Sequence, residues 1–291
     1  MDAITSWAPA PRKPAESRGI GNVFDRQCQY SMVAMIMNHF LRTFAASFGG
    51  FPKNYLSLDI ETSGVNSNED LILQVGYCLV EEGKPVEQVS VVLNWPDSGL
   101  VEEDWLRDRL ERTRKQIEFA KDGRATGKRY DFTYEFLQTG EPPVATLDSF
   151  HGLLMDLRRA AYGFVAHNGY NFDGKMLASH FKNYLHKEWS FLDNELWDTG
   201  MIEKASQLNS VPHEGDTLRS FSARVAAGRF KGVFWNLGEH CVKKYALDQK
   251  HGIGTMKNCD AGFDAWLDHL LFEEFKLLAA QNPTHPEQPP F

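Results

Sequence analysis

Apolar residues Val33, Ile36, Met37, Phe40, Leu41, Phe44 and Phe48 recur at helical spacing and predict an amphipathic helix ending at Gly49-Gly50. Its apolar stripe serves either the chain's own core or a second copy in a homodimer, since Met-rich surfaces adapt readily to partners. From Tyr55 the period shortens to two. Segments 55–61, 71–80 and 86–94 read as strands, and Glu82-Gly83-Lys84 can turn the second into the third, so an antiparallel meander is predicted. Over 104–121, Leu106, Leu110, Thr113 and Ile117 share one helical stripe. Residues 122–145, with Gly123, Gly127, Gly140, Pro142 and Pro143, predict an inserted loop region. Helix returns over Thr146–Ala161, and a short buried strand, Gly163–Ala166, leads through His167-Asn168-Gly169 into a helix over Phe172–Leu185. A further strand-like piece ends at Trp197-Asp198-Thr199, and helices over 237–246 and 260–280, joined by the loop Gly252–Lys257, close the chain.

Three antiparallel strands followed by strands alternating with helices predict one mixed α/β domain over 51–281. An N-terminal arm and helix (1–50) precede it and a Pro-rich flexible tail (282–291) follows. At 42% hydrophobic and 24% charged over 291 residues, the composition is that of a globular chain and excludes wholesale disorder. The longest apolar run, Met32 to Met37, falls far short of the roughly 18 residues of a membrane span. The N-terminus has no secretory apolar stretch, and a cytoplasmic location is expected. Cys28, Cys78, Cys241 and Cys259 form no C-x-x-C pair, so reduced thiols are expected rather than a zinc ribbon. A net charge of −8 argues against a protein coated for wrapping DNA. Between Arg107 and Arg129, however, nine basic residues face four acidic ones, which is either a solvated helix face or a contact for a nucleic-acid backbone.

The candidate chemistry lies in carboxylates. In Leu58-Asp59-Ile60-Glu61-Thr62-Ser63-Gly64, strand alternation puts Asp59 and Glu61 on one face and Leu58 and Ile60 on the packed one. Such a pair also occurs on ordinary exposed strands. Asp173 follows the polar turn after Ala166, where an acid also suits a helix N-terminus. Asp260, Asp264 and Asp268 are four apart along one side of the last helix, a pattern shared by solvated faces.

Together these segments resemble the DEDD superfamily of 3′–5′ exonucleases, in particular its histidine subfamily, over roughly residues 54–280. Asp59-Ile60-Glu61-Thr62 matches the D-x-E-T strand, with Gln74-Val75-Gly76 where the second strand runs. His167, Asn168, Phe172 and Asp173 match the H-N-x-x-F-D turn with one extra residue, and Ala261, Asp264 and Ala265 match H-x-A-x-x-D-A. The resemblance implies a ribonuclease H-like, five-stranded mixed sheet flanked by helices. It also implies catalytic and metal-binding roles for Asp59, Glu61, Asp173 and Asp264. Charges ~4 Å apart repel by about 4 kcal/mol at an effective dielectric of about 20, so converging acids need cations. Oxygen-only ligands favour two Mg²⁺ or Mn²⁺ ions.

The implied reaction releases nucleoside 5′-monophosphates from single-stranded nucleic-acid 3′ ends. Thr62, Ser63 and the backbone of the 61–64 turn are expected to hold the terminal nucleotide, with Asn168 and Phe172 as a second wall. Equally, Asn168 could only satisfy turn backbone and Phe172 only pack under its helix. Where the family has its proton-accepting histidine, this chain has Cys259. The thiol, His251, Asp260 or loss of the proton directly to solvent are the open replacements. A catalytically impaired module of the same fold, binding nucleic acid or protein without turnover, is the rival function.

Overall fold

The computed structural model describes residues 35–119, 123–124, 129–228, 236–253 and 260–281. The predicted arm over 1–22, the tail, loop residues 254–257, Cys28 and Cys259 lie outside them. Strand β1 (Tyr55–Thr62) is the middle of five, in the order β3-β2-β1-β4-β5. It pairs antiparallel with β2 (Ile72–Glu81), which pairs antiparallel with β3 (Lys84–Val92). The two-residue turn between them, Glu82-Gly83, has both φ angles positive, as a tight hairpin requires. On the other side β4 (Gly163–Ala166) and β5 (Leu196–Asp198) run parallel to β1. The expected α/β fold, a five-stranded mixed sheet between helices, is thus the observed one.

Residues 35–47 form α1. The remaining helices are α2 (Glu103–Glu118), α3 (Tyr134–Leu137), α4 (Pro143–Arg159), α5 (Asp173–Leu185), α6 (Thr199–Leu208), α7 (Leu218–Ala227), α8 (Val242–Lys244), α9 (Leu247–His251) and α10 (Ala261–Ala280). Among the described residues no helix is long and apolar enough to cross a membrane. Cys78 and Cys241 are buried and in no disulfide among the described residues.

Strand alternation divides the interior into two cores. Leu56, Leu58 and Ile60 meet Phe150 and Leu154 of α4 and Leu177 and Phe181 of α5 on one face. On the other, Tyr55, Cys78, Val165 and Trp197 meet Leu271, Phe272 and Phe275 of α10. Helix α1 joins this second core: Phe40, Leu41 and Phe44 are buried, and the Phe44 ring lies 5.8 Å from Trp197 and 5.2 Å from Phe221. The stripe, read as serving either the chain's own core or a homodimer, is thus largely packed within the chain, with Ile36 left 49% exposed.

Two parts of the sequence reading change. The described part of 122–145 is packed rather than free: Tyr130, Phe132 and Leu137 are buried in the first core, and Glu141 bridges to Leu93 beside the sheet edge. Helices α6 and α7 were not anticipated. In α6 every residue from Thr199 to Ala205 is buried, Glu203 and Lys204 included, although only Met201, Ile202 and Ala205 among them give an apolar helical spacing.

Candidate active site

Asp59 and Glu61 leave β1 on the face covered by α10, opposite Gly76 and Gln74 of β2 in the antiparallel register. At Gly76 a side chain is excluded. A Cβ there would lie 2.0 Å from the backbone carbon of Ala261 and 2.1 Å from the nitrogen of Gly262. A Cβ on Gly262 would in turn sit 2.6 Å from Ser90 Cβ. The foot of α10 thus rests directly on β2 and β3. Gln74 fixes it by accepting from Ala261 N–H (3.1 Å) while donating to Ser90 Oγ (2.7 Å). Asp260 caps the helix by accepting from Phe263 N–H at 3.1 Å. One turn later Asp264 stands over the strand, and one carboxylate oxygen each of Asp59, Glu61 and Asp264 falls within a 4.8 Å spread.

This seating yields a first prediction. Gly76→Ala forces α10 off the sheet, with an expected cost of roughly 3 kcal/mol by overpacking. Misplacing Asp264 by an ångström lowers any activity of the site by ~100-fold. Urea unfolding beside a rate measurement checks both, and a variant with wild-type stability would show the contact to be slack.

Asp173 arrives from the other side. After β4 the chain turns at Asn168, whose φ of 70° is tolerated by asparagine. Asp198 at the end of β5 holds this turn, accepting from Asn168 N–H at 2.9 Å and from Met201 N–H at 3.0 Å, which also caps α6. The turn delivers Asp173 as the first residue of α5, 1% exposed, with both carboxylate oxygens lacking a hydrogen-bond partner among the described residues.

The carboxyl groups act on one another. Burial, then Asp173, Asp264 and Glu61, hold Asp59 well above the usual carboxylate range. Glu61 is pushed up to about 8 by burial, Asp264 and Asp173. Asp173 rises to about 8 through burial, with Asp198 adding to it and the N–H groups of Asp173 and Ile60 partly offsetting it, and Asp264 to about 7 through burial and Asp260. Asp59, Glu61 and Asp264 thus come together within 4.8 Å, while Asp173 stands outside that group and acts on Asp59 and Glu61 through its charge. An oxygen-only donor set with orphaned buried oxygens fits a hard divalent ion.

The other expected site residues fall at its rim. Thr62 Oγ1 donates to Gly64 O at 2.6 Å. Ser63 is wholly buried: its hydroxyl donates to Asp70 (3.1 Å) and accepts from Leu71 N–H (2.9 Å). Both side chains thus build the 61–64 turn, whose backbone is itself paired within the chain, Tyr130 donating to Thr62 O and Ser63 N–H to Leu71 O. Arg109 of α2 clamps Asp70 from behind through a two-pronged ion pair, and Thr113 donates to Ser63 O. Asn168 and Phe172 are half-buried, and Phe172 also packs on the first core.

The basic stretch is less positive than its count suggests. Helix α2 carries five basic and five acidic residues. Arg107 pairs with Glu103 and Glu135, Arg109 with Asp70, and Arg114 and Lys115 with Glu111.

Of the replacements weighed for the base, Cys259 lies outside the described residues. Asp260 acts on Glu61 and Asp264, whereas His251, exposed at the end of α9, acts on His269. Sequence reasoning missed Asp198, whose signal was an Asp directly before a helix. It also read Asp268 only as part of an acidic stripe, although this residue is 1% exposed.

No protein-family model matches the chain, and no curated protein does. Among solved structures it is similar to E. coli exonuclease I in complex with a dA16 oligonucleotide, with 15% identity over 77% of this chain and 41% of that chain and a TM-score of 0.44. It is also similar to the zinc-bound E. coli exonuclease I complex with single-stranded DNA, with 17% identity over 80% and 42% of the two chains and a TM-score of 0.46. The chain spans less than half the length of these structures.

Proposed function

We propose that the chain is a 3′–5′ exonuclease that releases nucleoside 5′-monophosphates from single-stranded nucleic-acid ends, with two Mg²⁺ or Mn²⁺ ions held by Asp59, Glu61, Asp173 and Asp264. The observation that carries this reading is the gathering of oxygens of Asp59, Glu61 and Asp264 from two elements within 4.8 Å of one another, with Asp173 acting on Asp59 and Glu61 from α5, its buried oxygens without a partner among the described residues. Ions bound there would activate a water and offset charge on the departing 3′ oxygen. The protein's part is positional. Asp59 and Glu61 are held by the central strand, Asp264 by the foot of α10, and Asp173 by the turn that Asp198 pins.

The backbone of the 61–64 turn would receive the terminal nucleotide, with Asn168 and Phe172 on the facing side. Asp260, acting on the same carboxylates, is better placed than His251 to take a proton from the water. A 5′-labelled single strand incubated with Mg²⁺ or Mn²⁺ is expected to shorten from its 3′ end one nucleotide at a time, and EDTA to stop it. Binding of DNA and RNA strands with no nucleotide released would favour the non-catalytic module instead.

A further inference from the structure

One buried acid has no part in that reading. Asp268 lies one turn beyond Asp264 on α10, so the two share a side of the helix. It is 1% exposed. Its Oδ1 accepts from Thr199 Oγ1, while its Oδ2 is buried without a partner among the described residues. The two ends of the acid therefore differ: one is fixed and the other faces nothing the protein supplies. A buried polar atom left so is costly unless a ligand or ion completes it.

The anchor comes from the neighbouring strands. Thr199 follows directly on Asp198, the residue that pins the turn before Asp173, and His167 Nδ1 lies 3.0 Å from Thr199 Oγ1. A hydroxyl has one proton. With Thr199 donating to Asp268, His167 must donate from Nδ1, so the turn leading to Asp173 and the side chain of Asp268 are held by one chain of hydrogen bonds. Burial, joined by Asp198, Asp173 and Asp264, holds the Asp268 carboxyl well above the usual range, so that beyond the Thr199 hydroxyl the protein supplies nothing that favours its charge. That charge acts on Asp59, and Asp173 and Asp264 act on it in return.

We propose that Asp268 is a fifth carboxylate of the candidate ion site, anchored through Thr199 and His167 and offering its second oxygen to water held by the bound divalent ions. This rests on the reading of Asp59, Glu61, Asp173 and Asp264 as ion ligands. Asp268 is then a positioning residue for the ions.

The test is direct ion binding to the full chain, by calorimetric titration of Mn²⁺ and Mg²⁺ without nucleic acid, with metal-free melting temperatures measured alongside. Asp268→Asn keeps the shape and the Thr199 bond and removes the charge. It is expected to weaken binding by ~10-fold to 100-fold, with a metal-free melting temperature equal to or above that of the wild type. Thr199→Val, which keeps the charge and frees the anchor, is expected to weaken binding by less. Wild-type affinity in Asp268→Asn, while Asp59→Asn has lost its binding, overturns the proposal and leaves the four-carboxylate reading standing. A lowered metal-free melting temperature with full affinity also overturns it, because Asp268 would then serve folding alone. If Asp268→Asn does not fold, Thr199→Val decides, and unchanged affinity there is fatal. Undiminished binding in Asp59→Asn removes the four-carboxylate reading and this proposal with it.

Discussion

Asp59→Asn and Asp264→Asn are each expected to lower 3′-end nucleotide release by at least ~1000-fold, a loss of about 4 kcal/mol of transition-state stabilisation. The substitutions keep shape and remove one charge. Each carboxylate supplies an oxygen to a cluster only 4.8 Å across, so an amide there both weakens ion binding and leaves developing negative charge less well compensated. The fold is expected to survive, since relieving repulsion among half-buried acids does not cost stability. Asp156→Asn, exposed and paired only with Arg159, is the matched control and should leave the rate unchanged. Rates measured on one labelled strand under saturating Mn²⁺ separate the cases. Near wild-type turnover in Asp264→Asn would remove α10 from the chemistry.

The second large effect concerns stability and pH. Glu61 and Asp173 are pushed up to about 8 and Asp264 to about 7 in the metal-free protein, against values near 4 for the same groups in an unfolded chain. Between these limits the native state keeps protons that the unfolded state has released. Stability therefore falls as pH rises from about 4 to about 8. Each tenfold difference in proton affinity between the folded and unfolded chain corresponds to about 1.36 kcal/mol per group, so the cluster destabilises the chelated protein by several kcal/mol at pH 8 relative to pH 5. Asp70 runs the other way. Its carboxyl is lowered by Arg109 and Asn66 against the cost of burial, and its contribution is lost only at acid pH, below the window in question.

Divalent ions displace the shared protons and should flatten the slope, with affinity rising as pH rises. Urea unfolding midpoints at pH 5, 6.5 and 8, in EDTA and in Mg²⁺, measure this. A midpoint that climbs with pH in EDTA would show that the acids do not share a low-dielectric site.

How much of this was readable from the sequence depended on which physical signal each part carries. The meander announced itself because Leu58-Asp59-Ile60-Glu61 in β1 alternates, β2 and β3 are rich in apolar and β-branched residues, and Gly83 marks the turn. Asp59 and Glu61 followed from that alternation, and Asp173 from an apolar strand breaking into a polar turn. Helices α6 and α10 hid their surroundings because they are buried on most sides, so a stripe that spacing suggests is solvated, Asp260-Asp264-Asp268, holds one acid with 1% exposure. Glu203 was invisible for a similar reason. It is buried only because Lys244, Tyr245 and Gln207, far or near in sequence, all converge on its carboxylate. The charge count over 107–129 misled by ignoring partners outside that window, such as Glu103, Glu135 and Asp70.

The glycine contact beneath α10 has a mechanical consequence. Backbone touches backbone at Gly76, and only the short Ser90 side chain meets Gly262, so no bulky side chain sets the height of the helix there, and that end behaves as a fulcrum. Volume changes deeper in the second core, at Phe272 or Phe275, tilt the far end of the lever while Asp264, close to the pivot, barely travels. The arrangement separates tolerance from precision: beyond Asp268 the helix can absorb small changes of volume as tilt, whereas the few residues around its foot cannot.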